Sequence, residues 1–584
     1  MMYLNMLWLV RRLIFLMAIL LALCSIINGW RHPPSSLSSN SRGLPFTIRG
    51  GDNDSSLSSS SSSSSLPSLD LPRKIPHVEF PESTMMQPCQ DNQQHQRPTK
   101  KVLVLMDSFC DVHGLFLARR AREMHGVVIV PVYSKYMAGY FRLQQHRGDA
   151  PENIQELLSL CMPSSIEETQ EWRTLLDEQL SMMGDGGGDT LASIDHDKHD
   201  NVLPPRYEIV ALVCDSDSGL ADAEQLADWL NVTTRNPGGV CENRRNKYLM
   251  IESIKNAGIG TVQQRLCQSR EEAVEFASSL LRTPTDRVVL KPVRGCGSDD
   301  VHLCNSIDSV ITAFDTIYGS SIFGSPGQKH DAVLVQEFAV GQEYAIDTVS
   351  RDGELKIVAI WKYDKRPANG APFVYYATKL FDGSESSEPI CPMLYDYLNR
   401  CLQALDIRWG ITHSEIIVTA DGSPRLVEIN CRQHNMDFLL LTMGGIGYNI
   451  YDVLLAAYFG NSNNDGVKDD DDNTKKQLDW NLIPHIPSTR MNAAMIHLVN
   501  SKNGTLRRVN NDALYEIEAM ASVGNMEIYN KFLEVGTQIH PTIDIKTDAG
   551  WIQIVNPDAE IFDADFQRII GLMPTLFEIE EELD

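Results

Sequence analysis

His413-Ser414-Glu415-Ile416-Ile417-Val418-Thr419, then Ala420-Asp421-Gly422-Ser423, then Pro424-Arg425-Leu426-Val427-Glu428-Ile429-Asn430, is the stretch that decides the reading of this chain. Strands are expected over Thr412–Thr419 and Arg425–Asn430, because both runs are rich in β-branched and aliphatic residues. The Asp-Gly pair between them supplies turn chemistry. Folded back antiparallel, the hairpin brings Glu415 near Glu428, and Glu428 and Asn430, two apart, share one face. Three hard oxygen donors suit Mg²⁺ or Mn²⁺, which keeps waters and takes its other ligands from phosphates. Taken alone, the same carboxylates also fit the solvent face of an ordinary hairpin, so the rest of the chain has to decide.

Working upstream, Lys291 ends the strand Arg287–Pro292 and precedes the turn Arg294-Gly295-Cys296-Gly297-Ser298, whose small residues let backbone N–H groups close over phosphate oxygens. Lys247, on a helix expected over 243–258, is a second candidate cation; a solvated helix lysine is its plainer reading. Gln336, Glu337 and Phe338 end an apolar strand that breaks into a linker through Val340 before Glu343. Exposed backbone there is suited to an adenine edge, and Glu343 to a ribose hydroxyl. Tyr363 to Arg366 is read as a basic loop placed to cover the phosphates or, more plainly, as an exposed turn. Cys296 is read as a packing residue.

A helix lysine, a strand lysine with a glycine loop, a hinge, then Glu and Glu-x-Asn: in order and in type this resembles the ATP-grasp superfamily, over Asn243 to Tyr458. The resemblance implies an ATP-grasp domain of two α+β lobes behind a Rossmann-like α/β pre-ATP-grasp domain. It implies Lys247, Lys291, Gly295, Gly297 and Ser298 on the phosphates, Gln336, Glu337, Phe338 and Val340 at the adenine, Glu343 at the ribose, and Glu415, Glu428 and Asn430 on magnesium. Glu428-Ile429-Asn430-Cys431-Arg432 is similar to L-amino acid ligases of the bacilysin-synthetase type and to carnosine synthase. That similarity implies a carboxylate-amine ligase in which Arg432, with Lys291, serves an acyl phosphate formed from a small carboxylate, with amino acids as expected substrates. Cys431 replaces the usual proline, and Gln433-His434-Asn435-Met436 departs from the dipeptide-ligase pattern; His434 and Asn435 are read either as substrate contacts or as a structural network. A biotin-carboxylase-like carboxylating enzyme and an inactive membrane-anchored ATP-binding protein are the rival readings.

Composition narrows the rest. A formal charge of -26 argues against nucleic acid as a partner. Twelve scattered cysteines describe neither a disulfide framework nor a metal site. The apolar run Leu13–Ile27 behind Arg11-Arg12 reads as a signal peptide or membrane anchor within 1–29. Acid-free, Ser-rich residues 30–51 then suggest a plastid presequence, with an ER or membrane-associated protein as the alternative. The segment 30–98, with its Ser58–Ser65 run, reads as linker. The remaining expected units are a β-α-β domain at 99–235 with an acidic insertion at 184–200, the ATP-grasp domain at 236–458, an acidic insertion at 459–490, and a small α+β cap at 491–584. A homodimer is left open.

Overall fold

The computed structural model describes residues 99–107, 112–135, 137, 160–182, 206–214, 216–295, 300–322, 328–382, 390–434, 438–460 and 477–581. The expected leader, the Ser-rich linker, the insertion at 184–200, Cys296, Gly297, Ser298, Asn435, Met436 and most of the acidic run after 460 lie outside them. Among the described residues no single helix is long and apolar enough to cross a membrane.

The first unit is a parallel sheet of β1 (Thr99–Met106), β2 (Val128–Tyr133), β3 (Leu160–Cys161) and β4 (Arg206–Cys214), in the order β3-β2-β1-β4. Its strands read as unbroken apolar runs because helices cover them: α1 (Val112–His125), α2 (Ile166–Met182) and α3 (Leu220–Trp229). Helix α2 begins at Ile166, and Leu160–Cys161 forms the edge strand before it.

The next helix, α4 (Lys247–Asn256), starts four residues later than the sequence suggests. Asn246 caps it by accepting from the Tyr248 and Leu249 amides, and residues 238–244 form a tighter 3₁₀ turn. A small antiparallel sheet follows from β5 (Gln264–Cys267), β6 (Val288–Pro292), β7 (His302–Cys304) and β8 (Val333–Glu337), ordered β5-β8-β6-β7. Helices α5 (Arg270–Leu280) and α6 (Ile307–Ile317) share one core with it. Ser269 caps α5 as its capping-box pattern predicts.

The large sheet begins with β9 (Gly341–Arg351), β10 (Glu354–Ala368) and β11 (Ala371–Leu380). After α7 (Ile390–Ala404) come β12 (Gly410–Thr419) and β13 (Pro424–Asn430), then α8 (Leu439–Gly445) and α9 (Ile450–Phe459). The last stretch adds β14 (Asn492–His497), β15 (Gly504–Val509), α10 (Asn511–Glu518), β16 (Val523–Ile528), β17 (Gln538–Ile539), β18 (Gly550–Asn556), α11 (Ala559–Leu572) and β19 (Phe577–Glu581). Eight strands form one antiparallel sheet in the order β13-β12-β9-β10-β11-β14-β18-β16. The segment from 491 therefore shares this sheet, through β14, β18 and β16, and only β17-β15-β19 stands as a small sheet of its own.

Packing fixes the hairpin β12–β13 from beneath. The Tyr397 hydroxyl of α7 accepts from the Leu426 amide at 2.9 Å and donates to the Gly260 carbonyl at 2.8 Å. Met250 of α4 lies under Ile429 in the same apolar cluster. Gly422 takes the positive φ (79°) the turn requires. A Cβ on Gly341 would fall on the Val418 carbonyl, so the start of β9 depends on glycine there.

Candidate active site

Register places Glu415 opposite Glu428 and His413 opposite Asn430. These residues line a cleft between the small sheet and the large one. The empty space in the cleft is about 1350 Å³ with its open mouth included. Lys247, Lys291, Gly295, Gln336, Glu337, Phe338, Glu343, Glu415, Glu428, Asn430 and Arg432 all line it. Val340 does not: it is 69% exposed, in the link between β8 and β9.

The acidic groups are matched by internal cations. Lys247, first residue of α4, reaches Glu428 at 2.8 Å and donates to the Gly295 carbonyl at 2.8 Å. Lys365 meets Glu343 at 2.8 Å, 4.6 and 4.5 Å from the ring centroids of Tyr363 and Tyr375. Tyr363 and Lys365 belong to β10, buried or nearly so, and do not form the exposed turn the sequence suggests, because the strand runs on to Ala368. Burial, with Lys247 adding to it, pulls the Lys291 ammonium down to about 8, against Glu428, Glu415 and Glu343. For Glu415, burial opposes charge, yet Lys365 and His413 hold its carboxyl well below the usual range. Glu428 is likewise held down by Lys247 against its burial. Glu343 goes the other way, raised by burial and by the Glu415 charge against the pull of Lys365.

Arg432 is buried and fixed from the first unit: its Nε donates to Asp217, in the turn after β4, at 2.7 Å, and its Nη1 to the Gln433 carbonyl. Burial, with Glu224 nearby, pushes the Cys431 thiol up to about 12, which leaves it a packing residue. His434 sits in a hydrogen-bonded network. Tyr363 Oη lies 3.1 Å from its Nε2 and 3.3 Å from Glu415 Oε1, and Asp347 lies 3.4 Å from its Nδ1. Asp347 also accepts from Trp361 Nε1 at 2.6 Å and meets His413 Nδ1 at 2.9 Å.

Sequence reading misses Asp217, Asp347 and Tyr375 as parts of this neighbourhood, and offers Tyr363 and Lys365 only as part of a basic loop. Asp347 carried a signal, a lone carboxylate in the apolar run Tyr344-Ala345-Ile346-Asp347-Thr348-Val349; the others are drawn together only by the fold. The donor set fits a magnesium ion. Glu415, Glu428 and Asn430 offer only hard oxygens for it. Asn430 turns its amide nitrogen to Glu428 at 2.8 Å, which leaves its carbonyl oxygen for a ligand.

Residues 285–436 match the family model described as the ATP-grasp domain. Dapdiamide A synthase of Enterobacter agglomerans is 31% identical over 227 residues, 39% of this chain and 51% of that protein. The L-arginine-specific L-amino acid ligase of Bacillus subtilis is 27% identical over 190 residues, 32% of this chain and 43% of that protein. The chain thus spans about half the length of these curated relatives. Among solved structures, the L-amino acid ligase from Bacillus licheniformis shares the fold with a TM-score of 0.53 at 16% identity, over 84% of this chain and all of that one. Carboxyaminoimidazole ribonucleotide synthase from Aspergillus clavatus, solved with ATP, gives 0.50 at 13% identity over 82% of this chain and 99% of that one.

Proposed function

We propose that this chain, whose residues 285–436 are an ATP-grasp domain, is an Mg-ATP-dependent carboxylate-amine ligase that forms an amide or peptide bond. The observation that carries the reading is the convergence of Glu415, Glu428 and Asn430 with Lys247, Lys291 and Arg432 on one cleft. Amide formation by the relatives named above supports the reaction class.

In this mechanism Lys247 leaves Glu428 for the phosphates of ATP, and Lys291, already buried beside it, gains charge stabilisation from the same oxygens. Glu415, Glu428 and Asn430 would hold magnesium, which supplies neutralisation of phosphate charge. A substrate carboxylate attacks the γ-phosphorus, ADP leaves, and an acyl phosphate results. The amine attacks its carbonyl, phosphate departs, and the amine gives up a proton to give the amide. Arg432, held in place by Asp217, steadies the developing negative charge. The aromatic residues Tyr363, Tyr375 and Phe438 keep water from the acyl phosphate, which would otherwise hydrolyse.

The test is a screen of amino-acid pairs for ADP release, with mass spectrometry of the products. A coupled product with one ADP per bond supports the reading, and bicarbonate-dependent ADP release without an amide product overturns it. The apolar run Leu13–Ile27 supports a separate part of the proposal, entry into the secretory route and onward to a plastid. A fluorescent fusion of residues 1–98 that stayed diffuse in the cytosol would end it.

A further inference from the structure

At the end of the cleft away from the hairpin, β14 closes with His497, and the loop before β18 supplies Asp548. Both side chains are 1% exposed, and Asp548 Oδ2 lies 2.9 Å from His497 Nδ1. His497 nevertheless lines the cleft, and among the described residues its Nε2 makes no hydrogen bond. The second Asp548 oxygen, Oδ1, is buried without a partner. A fold that buries a carboxylate half satisfied in order to orient one imidazole edge toward a cavity has kept a polar group for use. The other histidines of the cleft differ. His413 is engaged by Asp347 and approaches Glu415, and His434 is engaged at both ring nitrogens.

Position sets what His497 can touch. Its ring lies 5.7 Å from that of Tyr375, which lies 5.3 Å from that of Tyr363, whose hydroxyl is 3.3 Å from Glu415. His497 stands on β14 and Glu415 on β12, with β9, β10 and β11 between them in the sheet, so a molecule that reaches from the metal edge to His497 is an elongated one. The groups at the far end are the Tyr375 hydroxyl and the His497 edge, with the Lys365 ammonium beside Tyr375 but already paired with Glu343; as an imidazolium against the Asp548 carboxylate the ring donates at Nε2 as well as Nδ1, and with the Tyr375 hydroxyl it complements an anion.

We propose that His497 Nε2 binds a carboxylate at the far end of an elongated amine substrate of short-peptide length, with Asp548 as the residue that positions the ring. The acyl donor must lie at the phosphates and Arg432, so this open end is left for the amine. The inference rests on the ligase reading above and adds to it the class of the second substrate.

The experiment measures ADP release with glycine, diglycine, triglycine and triglycinamide as amines, against the twenty L-amino acids as acyl donors. The proteins compared are wild type, His497→Gln and Asp548→Asn. The expected result is a wild-type KM for the amine that falls at least tenfold from glycine to triglycine and is lost again with triglycinamide. Both variants should erase that preference while KM for ATP and kcat hold. Equal use of glycine and triglycine, or a His497→Gln enzyme that keeps the preference, overturns the proposal, as does a loss confined to kcat. If wild type releases no ADP with any pair, the ligase reading fails. The site is then judged by the ¹⁵N shift of His497 Nε2 on titration with triglycine. A shift that triglycinamide does not produce supports it, and no shift overturns it.

Discussion

At the β12–β13 end of the cleft floor stand Glu415, Glu428 and Asn430, two carboxylates and an amide, with Lys247 paired to Glu428; across β10, β11 and the start of α8 stand Tyr363, Tyr375, Trp361, His434 and Phe438, rings that meet edge-on except where His434 stacks on Phe438. The first end holds its charges with opposite charges. The second carries a single ammonium, Lys365, and packs aromatic faces around a buried hydrogen-bonded core. The difference separates two tasks. On the function proposed above, the acidic end would hold the metal, with Lys247 for the phosphates, and the aromatic region would shape the cleft and exclude water. Substitutions at the acidic end should therefore act on the rate, and substitutions in the aromatic region on stability, metal competition and substrate choice.

The largest expected effect tests that division directly. Glu428→Gln keeps size and the contact with Asn430 but removes one of the two carboxylates at the metal edge. ADP release should fall by about a thousandfold in kcat, the scale for losing one preorganised electrostatic partner, while the thermal midpoint stays within a few degrees. An unchanged rate with every substrate pair would mean that the acidic end is not where phosphoryl transfer occurs.

The aromatic region predicts a pH dependence of stability instead. Burial works against the His413 charge, but its bond to Asp347 and the nearby Glu415 raise it to about 9. Its folded value lies above the unfolded one, so its contribution is complete below about pH 6.5 and is lost as pH rises toward 9. His434 is pushed down to about 4 by burial and by His413. Its contribution is present above about pH 6.5 and is lost as pH falls toward 4. Each limb is on the order of 3 kcal/mol, and together they place a stability maximum near pH 6.5. Thermal midpoints across pH 4–10 should show it. His413→Gln should flatten the alkaline side and His434→Gln the acid side; a wild-type curve level from pH 5 to 9 would show that the two rings are not coupled through Asp347.

A smaller effect lies where the two regions meet. The Lys365 ammonium is held by Glu343 and also acts on Glu415, so it competes with a divalent cation for the same charge. Lys365→Met should lower the half-saturating Mg²⁺ concentration by roughly threefold, the scale of one screened charge at several ångströms. A rise in that concentration would assign Lys365 to the phosphates instead.

The same contrast explains what could be read in advance. The acidic end was legible because Glu415, Glu428 and Asn430 fall on one hairpin, where strand periodicity and an Asp-Gly turn fix their faces. The parallel unit was legible in the apolar runs of β1, β2 and β4, although Leu160–Cys161 is too short to show a pattern. The aromatic region was not legible. Tyr363, Tyr375, His434 and His497 come from three strands and a loop, and only the pairing of β11 with β14 shows that the last stretch of chain extends the same sheet. Without that pairing, 491–584 reads as a separate cap. Asp217 likewise meets Arg432 across 215 positions of sequence, a contact no local pattern encodes.

Between β8 and β9 two neighbouring side chains, Phe338 and Val340, give the last prediction. Read in order, Gln336 to Val340 forms one hinge against the adenine. The strand ends at Glu337, however, and Gly341 opens the next one. Phe338 and Ala339 face the cleft, with Phe338 6.0 Å from the ring of Phe373, while Val340 turns outward. A side chain already in water has no desolvation to lose, and its backbone is unchanged by a polar replacement. Val340→Ser should therefore leave KM for ATP within about twofold, since exposed substitutions usually stay within ~0.5 kcal/mol. Phe338→Ala removes a cleft-lining aromatic surface and should raise the same constant by roughly tenfold, in keeping with the ~1–3 kcal/mol of a buried apolar side chain. Equal effects at the two positions would show that the linker rearranges when nucleotide enters, and that the outward turn of Val340 belongs to the free protein only.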